Sequence, residues 1–160
     1  MMTRNTVNEV KEYIDFLEIS ASDVVFAKKA WDYIYPHAEG ALHEFYAHKL
    51  MRSFSKSIPT FNEFILTGKQ IQYWDRLFTY GFDDKYFSNV NKVSFSHKKL
   101  NIPLSHYISS YGVILNEFEK ILKVECADDP RLLEMLSGLR KFVFVDVSIV
   151  CKMYDAVLID

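Results

Sequence analysis

His97, in the stretch SFSHKKLNIPLSHYISSYGVIL (residues 94–115), is the side chain best placed to do chemistry. Tyr86, Val90, Val93, His97 and Leu100 recur at helical steps of four and three, so the imidazole lies on the buried stripe of its helix. A lone imidazole there either hydrogen-bonds within a core or holds something. Zinc would call for three or four N, S or O ligands. A nucleophilic triad would call for an acid and a nucleophile. The stripe carries no carboxylate, and Cys126 and Cys151 are isolated thiols without metal-ligand spacing. Neither chemistry has its parts.

Composition supplies a different partner for the imidazole. The 160 residues include 13 Phe, 10 Tyr and 2 Trp but only 5 Gly and 4 Pro. Few breakers and many large rings imply long helices around a wide interior. One axial imidazole and a large apolar, aromatic pocket are what a haem iron requires. The net charge of −2, with no basic block, argues against a nucleic-acid partner. No 18-residue apolar window is free of charge, so no membrane span is expected. MMTRNTVNEVKEY lacks the apolar centre of a signal peptide. The two lone cysteines fit a reducing, cytoplasmic compartment.

The elements that position His97 read as helices almost throughout. Val7, Val10, Ile14 and Leu17 predict a short opening helix. SASD (residues 20–23) reads as a capping box for the next one, which carries Val24, Ala27, Trp31 and Ile34 on one face. Pro36 marks a break. A third helix is expected to turn Leu42, Phe45, Tyr46 and Leu50 inward, and SKSIPTFNEF reads as a connection. The helix TGKQIQYWDRLFTYGF closes near Gly81, and Asp83 or Asp84 caps the helix of His97. Pro103 is expected at the first position of a long helix lined by Leu104, Tyr107, Ile108, Tyr111, Leu115, Phe118 and Leu122. The last helix, begun by DDP, has two apolar seams: Leu132, Leu136, Leu139, Val143, Val147 and Val150, and Phe142, Val145 and Ile149. Two seams imply two neighbours, one of them a partner chain. No strand-like alternation persists. The class is all-α, one domain over residues 1–160, with an N-terminal extension over 1–19 and a long helix pair over 103–160 that forms the dimer contact.

HKKLNIPLSHYISSY resembles the proximal region of the globin-coupled sensor family: a histidine, a short hydrophobic stretch, Ile-Pro (Ile102-Pro103), then Tyr-Ile, two small residues and an aromatic (Tyr107 to Tyr111). LHEFYAHKL looks like the family's helix that presents a distal tyrosine after a Phe, here Tyr46 after Phe45. QIQYWDRLFTYGFDDKYF looks like the helix crossing the distal side and its turn. The likeness covers roughly residues 20–158. Ser94 and Asn101 stand where the family often has Gly, and Ser109-Ser110 where it has Gly-Ala.

The resemblance implies a globin-like helical sandwich that binds haem b, with His97 as the iron ligand. Tyr46 would donate to bound O₂, and Leu66 would restrict ligand and water access. Tyr107 would lie beside the proximal imidazole, and Val90, Val93, Ile102 and Tyr111 would pack the haem. It also implies a sensor of O₂ (or CO or NO) that is not itself an enzyme. Such a domain dimerises through its C-terminal helices in a four-helix bundle and drives an output domain such as a diguanylate cyclase or chemotaxis transducer. YDAVLID still runs in apolar helical pattern, as expected of a segment of a longer protein and equally of a standalone sensor. A standalone O₂-binding or NO-reactive globin shares the fold. A haem-free helical interaction module would use the aromatic interior only as core. His43 is a weaker candidate for the iron. His37, His48 and His106 read as surface residues.

Overall fold

A computed structural model describes residues 4–156, which leaves the last four residues of YDAVLID outside the described part. The described residues form eight α-helices: α1 (Arg4–Phe16), α2 (Ala21–Ile34), α3 (Ala38–Ala47), α4 (Lys49–Ser55), α5 (Glu63–Tyr80), α6 (Asp84–Lys99), α7 (Leu104–Glu125) and α8 (Leu132–Ala156). A 3-10 turn at Tyr35–His37, with Pro36 inside it, separates α2 from α3. The all-α expectation holds.

Local chemistry sets the starts. The Ser20 hydroxyl accepts from the Asp23 amide at 3.1 Å while the Asp23 carboxylate accepts from the Ser20 amide at 2.9 Å, a complete capping box. Asp83 caps α6 by accepting from the Tyr86 amide at 2.8 Å. Asn62 caps α5 in the same way. Gly81, at φ 70°, ends α5 in a conformation that L side chains rarely adopt.

Three local expectations are corrected. The third helix breaks at His48, whose extended backbone (φ −60°, ψ 139°) caps a separate α4; Leu50 consequently turns out and is 57 % exposed. Pro103 is extended at ψ 141°, so it stands just before α7 instead of inside its first turn. Val24 and Ile108 are also substantially exposed.

α8 is the spine. It packs against α2 most extensively, and against α6, α7 and α1. Both of its apolar seams are therefore covered within one chain, and the second seam is not a free surface for a partner. The α2 crossing is tight at Gly138, where an added Cβ would lie 2.8 Å from the Asp23 carbonyl oxygen and 3.0 Å from the Ala27 nitrogen. α3 rests on α5 and α7. Between these layers sits an aromatic core. Trp31 stacks on Phe78 at 5.3 Å, and Phe118 meets Trp74 edge-on at 4.8 Å. Such pairs add about 0.5–1.5 kcal/mol each beyond their buried area.

Candidate functional site

The position of His97 is set by the end of α6. The Asn101 amide donates to the Lys98 carbonyl at 2.9 Å and the Ile102 amide to the His97 carbonyl at 3.0 Å. With Asn101 at φ 54°, this is a Schellman cap, which needs a left-handed residue at that point. Glycine and asparagine are the two residues that take that conformation most readily, so Asn101 does the work of a glycine. Ser94 stays small for another reason: it is buried, donates to the Val90 carbonyl at 2.8 Å and lies 3.5 Å from the Met153 sulfur on α8.

His97 Nδ1 lies 2.8 Å from the Val93 carbonyl oxygen one turn back. A carbonyl can only accept, so Nδ1 carries the proton and Nε2 keeps its lone pair. Nε2 makes no hydrogen bond to the described residues. Burial pulls the imidazole below its ordinary pKa of 6.5, against the opposing effect of the Val93 carbonyl, which keeps the ring neutral at pH 7. The Tyr107 ring meets it edge-on at 5.2 Å and fixes its plane. Among the described residues no group of three His, Cys, Asp or Glu could hold a metal ion, so a multidentate metal site is not formed. A single neutral imidazole with a free Nε2 is the donor set of an axial haem ligand.

Tyr46 stands on α3, its ring held by Phe45 at 5.0 Å and by Phe61 at 5.6 Å. Burial, then the nearby Glu63 charge, push its pKa up to about 12. The phenol is therefore a hydrogen-bond donor at neutral pH, and it has no partner among the described residues. Leu66 lies in the first turn of α5 and is 37 % exposed. α3 and α6 are not a packed pair, and α5 makes little contact with α6. Val93, His97 and Ile102 are half-buried, and Leu66 is more exposed still. Apolar side chains left partly uncovered between loosely joined helices suit a flat apolar group. Two concavities of about 370 and 380 Å³ lie elsewhere: along α4, and between α1, α2 and the Gly81 turn.

That fold can be set beside known proteins. The Protoglobin family pattern matches residues 6–158, nearly the whole chain. The chain belongs to the Protoglobin family. Among solved structures, the globin domain of a Geobacter sulfurreducens globin-coupled sensor is similar, with a TM-score of 0.75 at 14 % identity, over 96 % of this chain and 99 % of that one. No curated protein matches. The expected globin-like sandwich and the resemblance to globin-coupled sensors are thereby borne out.

Within this protoglobin fold the remaining predicted residues divide. Phe45 and Val90 are buried. Tyr107 is buried against His97. Tyr111 is buried too, but its hydroxyl donates to Asp146 at 2.8 Å and accepts from the Trp74 indole at 3.0 Å. His43 pairs with Glu63 at 3.0 Å and is turned to solvent. His106 departs from expectation: its ring stacks on Phe54 at 4.7 Å and its Nε2 is enclosed without a partner among the described residues.

Sequence reasoning missed Asp146. It is fully buried on α8 and accepts the hydroxyls of Tyr73 at 2.5 Å, Tyr86 at 2.6 Å and Tyr111 at 2.8 Å. Burial raises its pKa and the three phenols pull it back. Three donors aimed at two oxygens need an acceptor-only group, which suits the carboxylate form. A signal was present: one acid inside the apolar run FVFVDVSIV cannot reach water without displacing a seam.

Proposed function

We propose that this chain is a haem-based gas-sensor globin domain, with O₂ as its principal ligand. The carrying observation is His97, whose Nδ1 is held by the Val93 carbonyl so that Nε2 is left with a lone pair and no partner among the described residues. Haem b held there supplies a ferrous iron that takes a diatomic gas. The chain's own residues do the rest. His97 holds and orients, its angle set by the Schellman cap and the Tyr107 ring. Tyr46 offers a neutral phenol donor, which favours O₂, where negative charge develops, over CO. NO is a further ligand of the same site. Leu66 restricts water entry. Phe45, Val90, Val93 and Ile102 complete the apolar surround, and Tyr111, tied to Asp146 and Trp74, backs the Tyr107 ring from behind.

In this reading gas sensing involves no catalytic step by the domain itself. The domain works as a homodimer and passes its signal to an output domain such as a diguanylate cyclase or chemotaxis transducer. Support for the dimer comes from apolar side chains on the outer faces of α7 and α8: Ile108, Val113 and Val124, and Leu133 and Phe144, between 40 and 77 % exposed. Among the described residues no helix is long and apolar enough to cross a membrane, which is compatible with a cytoplasmic location.

The test is a UV–visible spectrum of haem-reconstituted protein, ferrous, then with O₂, then with CO. The expected result is a five-coordinate ferrous spectrum converting to a stable oxy form, with haem retention lost in His97→Ala and restored by added imidazole. Absence of a Soret band after reconstitution would make His97 a core histidine and leave a haem-free helical module.

A further inference from the structure

Beyond the gas site, a file of rings runs from His97 to the surface, with one phenol branching off it: Tyr154, 6.2 Å from Tyr107, whose buried hydroxyl has no acceptor for its proton among the described residues. Tyr107 lies 5.2 Å from His97, Tyr111 5.9 Å from Tyr107, and Trp74 6.4 Å from Tyr111, centroid to centroid. Trp31 follows at 6.2 Å and Tyr35 at 5.8 Å. The first four rings after His97 are buried; Tyr35 is 53 % exposed. Every ring in the file after His97 is a phenol or an indole, the side chains that give up one electron most readily apart from thiols. The phenyl rings beside them, Phe78 and Phe118, oxidise far less easily and are dead ends.

Losing an electron makes a phenol or indole strongly acidic, so the electron leaves easily only where the proton has a destination. Two destinations are built in. The Tyr111 hydroxyl donates to the Asp146 carboxylate at 2.8 Å. The Trp31 indole N–H donates to Asp75 at 2.9 Å. Both carboxylates sit on the file, one near each end.

We propose that Tyr107, Tyr111, Trp74, Trp31 and Tyr35 form a one-electron conduit that drains oxidising equivalents from the His97 pocket to the surface at Tyr35. The inference rests on haem being held by His97. The oxidant is hydrogen peroxide, whose reduction to two waters takes two electrons and two protons. For each electron, Tyr111 gives one toward the pocket through Tyr107 and passes its phenolic proton to Asp146. Trp74 then gives an electron to the Tyr111 radical, which takes its proton back. Trp31 refills Trp74 and passes its indole proton to Asp75. Tyr35 refills Trp31, which recovers that proton, and Tyr35 releases its own to solvent. A small reductant of the ascorbate or thiol class returns one electron and one proton to Tyr35. Two passes consume one peroxide, and the two protons taken up from solvent at the pocket equal the two that Tyr35 sheds.

The experiment treats ferric, haem-loaded protein with hydrogen peroxide in the presence of a nitroso spin trap and maps the adducts by peptide mass spectrometry. Tyr80 is the internal control: it is 63 % exposed and outside the file. Tyr35 should carry adduct well in excess of Tyr80. Trp74→Phe should remove the Tyr35 adduct while the Soret change on peroxide addition persists. Tyr35→Phe, at an exposed position where folding is not at stake, should lengthen the life of the tyrosyl signal seen by electron paramagnetic resonance. Equal labelling of Tyr35 and Tyr80, or labelling of Tyr35 that survives Trp74→Phe, overturns the conduit. A normal Soret band with Tyr35 unlabelled defeats the conduit alone. Failure to form a Soret band defeats the haem reading and the conduit together.

Discussion

The Tyr73 hydroxyl on α5 donates to the Asp146 carboxylate on α8 at 2.5 Å, between residues 73 positions apart in the chain. With Tyr86 from α6 and Tyr111 from α7 on the same carboxylate, one buried acid joins four helices. Removing it strands three phenols. Asp146→Ala should cost at least 3 kcal/mol, since each unsatisfied buried hydroxyl costs about 1–3 kcal/mol. Tyr73→Phe removes a single donor to a charged acceptor and should cost about 1.5–3 kcal/mol. Denaturant melts of both variants and their double mutant check this. Additive losses would mean that the two residues do not act as a unit.

Gly138 faces the α2 backbone with no room for a methyl group. Alanine is the better helix former by about 1 kcal/mol. Gly138→Ala should nevertheless destabilise, by about 1–3 kcal/mol, because backbone atoms of Asp23 and Ala27 cannot yield as a side chain would. A rise in melting temperature would show that the crossing is looser than described.

Asn101 holds the left-handed turn that ends the helix of His97. Asn101→Gly should keep or slightly improve stability. Asn101→Val should cost about 1–2 kcal/mol of backbone strain and shift the ferrous Soret maximum through the tilt of His97. Identical spectra for the two variants would separate the cap from the ligand.

In the proposed gas site, Tyr46→Phe deletes the distal donor and keeps the ring between Phe45 and Phe61. A lost hydrogen bond of about 1.4 kcal/mol corresponds to a tenfold change. Oxygen should therefore dissociate about ten times faster while CO is little affected. Stopped-flow release of both gases decides; equal effects on the two would point to a change of pocket shape.

The α2 N-terminus is pinned to α8 by Asp23, which accepts from Lys141 Nζ at 2.8 Å. Burial alone would raise the Asp23 pKa, but Lys141 and Ser20 together outweigh it and hold the carboxyl below its ordinary 3.8. Its stabilisation is thus present above pH 3.8 and lost as pH falls through that value toward the folded-state pKa. Lys141→Met should cost about 1 kcal/mol at pH 7, and the gap to wild type should narrow below pH 4 in acid titrations followed by circular dichroism.

Much of this was legible in one dimension because it is local. The period of 3.6 in Val7–Leu17 and Tyr86–His97, the Ser20–Asp23 capping box and Gly81 after α5 each rest on residues within a turn or two. His97 stood out because a lone imidazole on an apolar stripe has few chemical uses. The break at His48 was hidden, since Leu42, Phe45, Tyr46 and Leu50 keep helical spacing across a residue whose extended geometry leaves no apolar signature.

The sequence alone determined the class and the helix order, and it put His97 on the inward stripe of its helix: near-neighbour spacing decides those. Tertiary structure decided what distance in the chain conceals. It set Asp146 under three tyrosines from three other helices, and it covered both seams of α8 with the chain's own α1, α2, α6 and α7. It also turned Tyr111 from a pocket wall into a donor and acceptor between Asp146 and Trp74. Apolar periodicity says that a face is buried; only the assembled helices say against what.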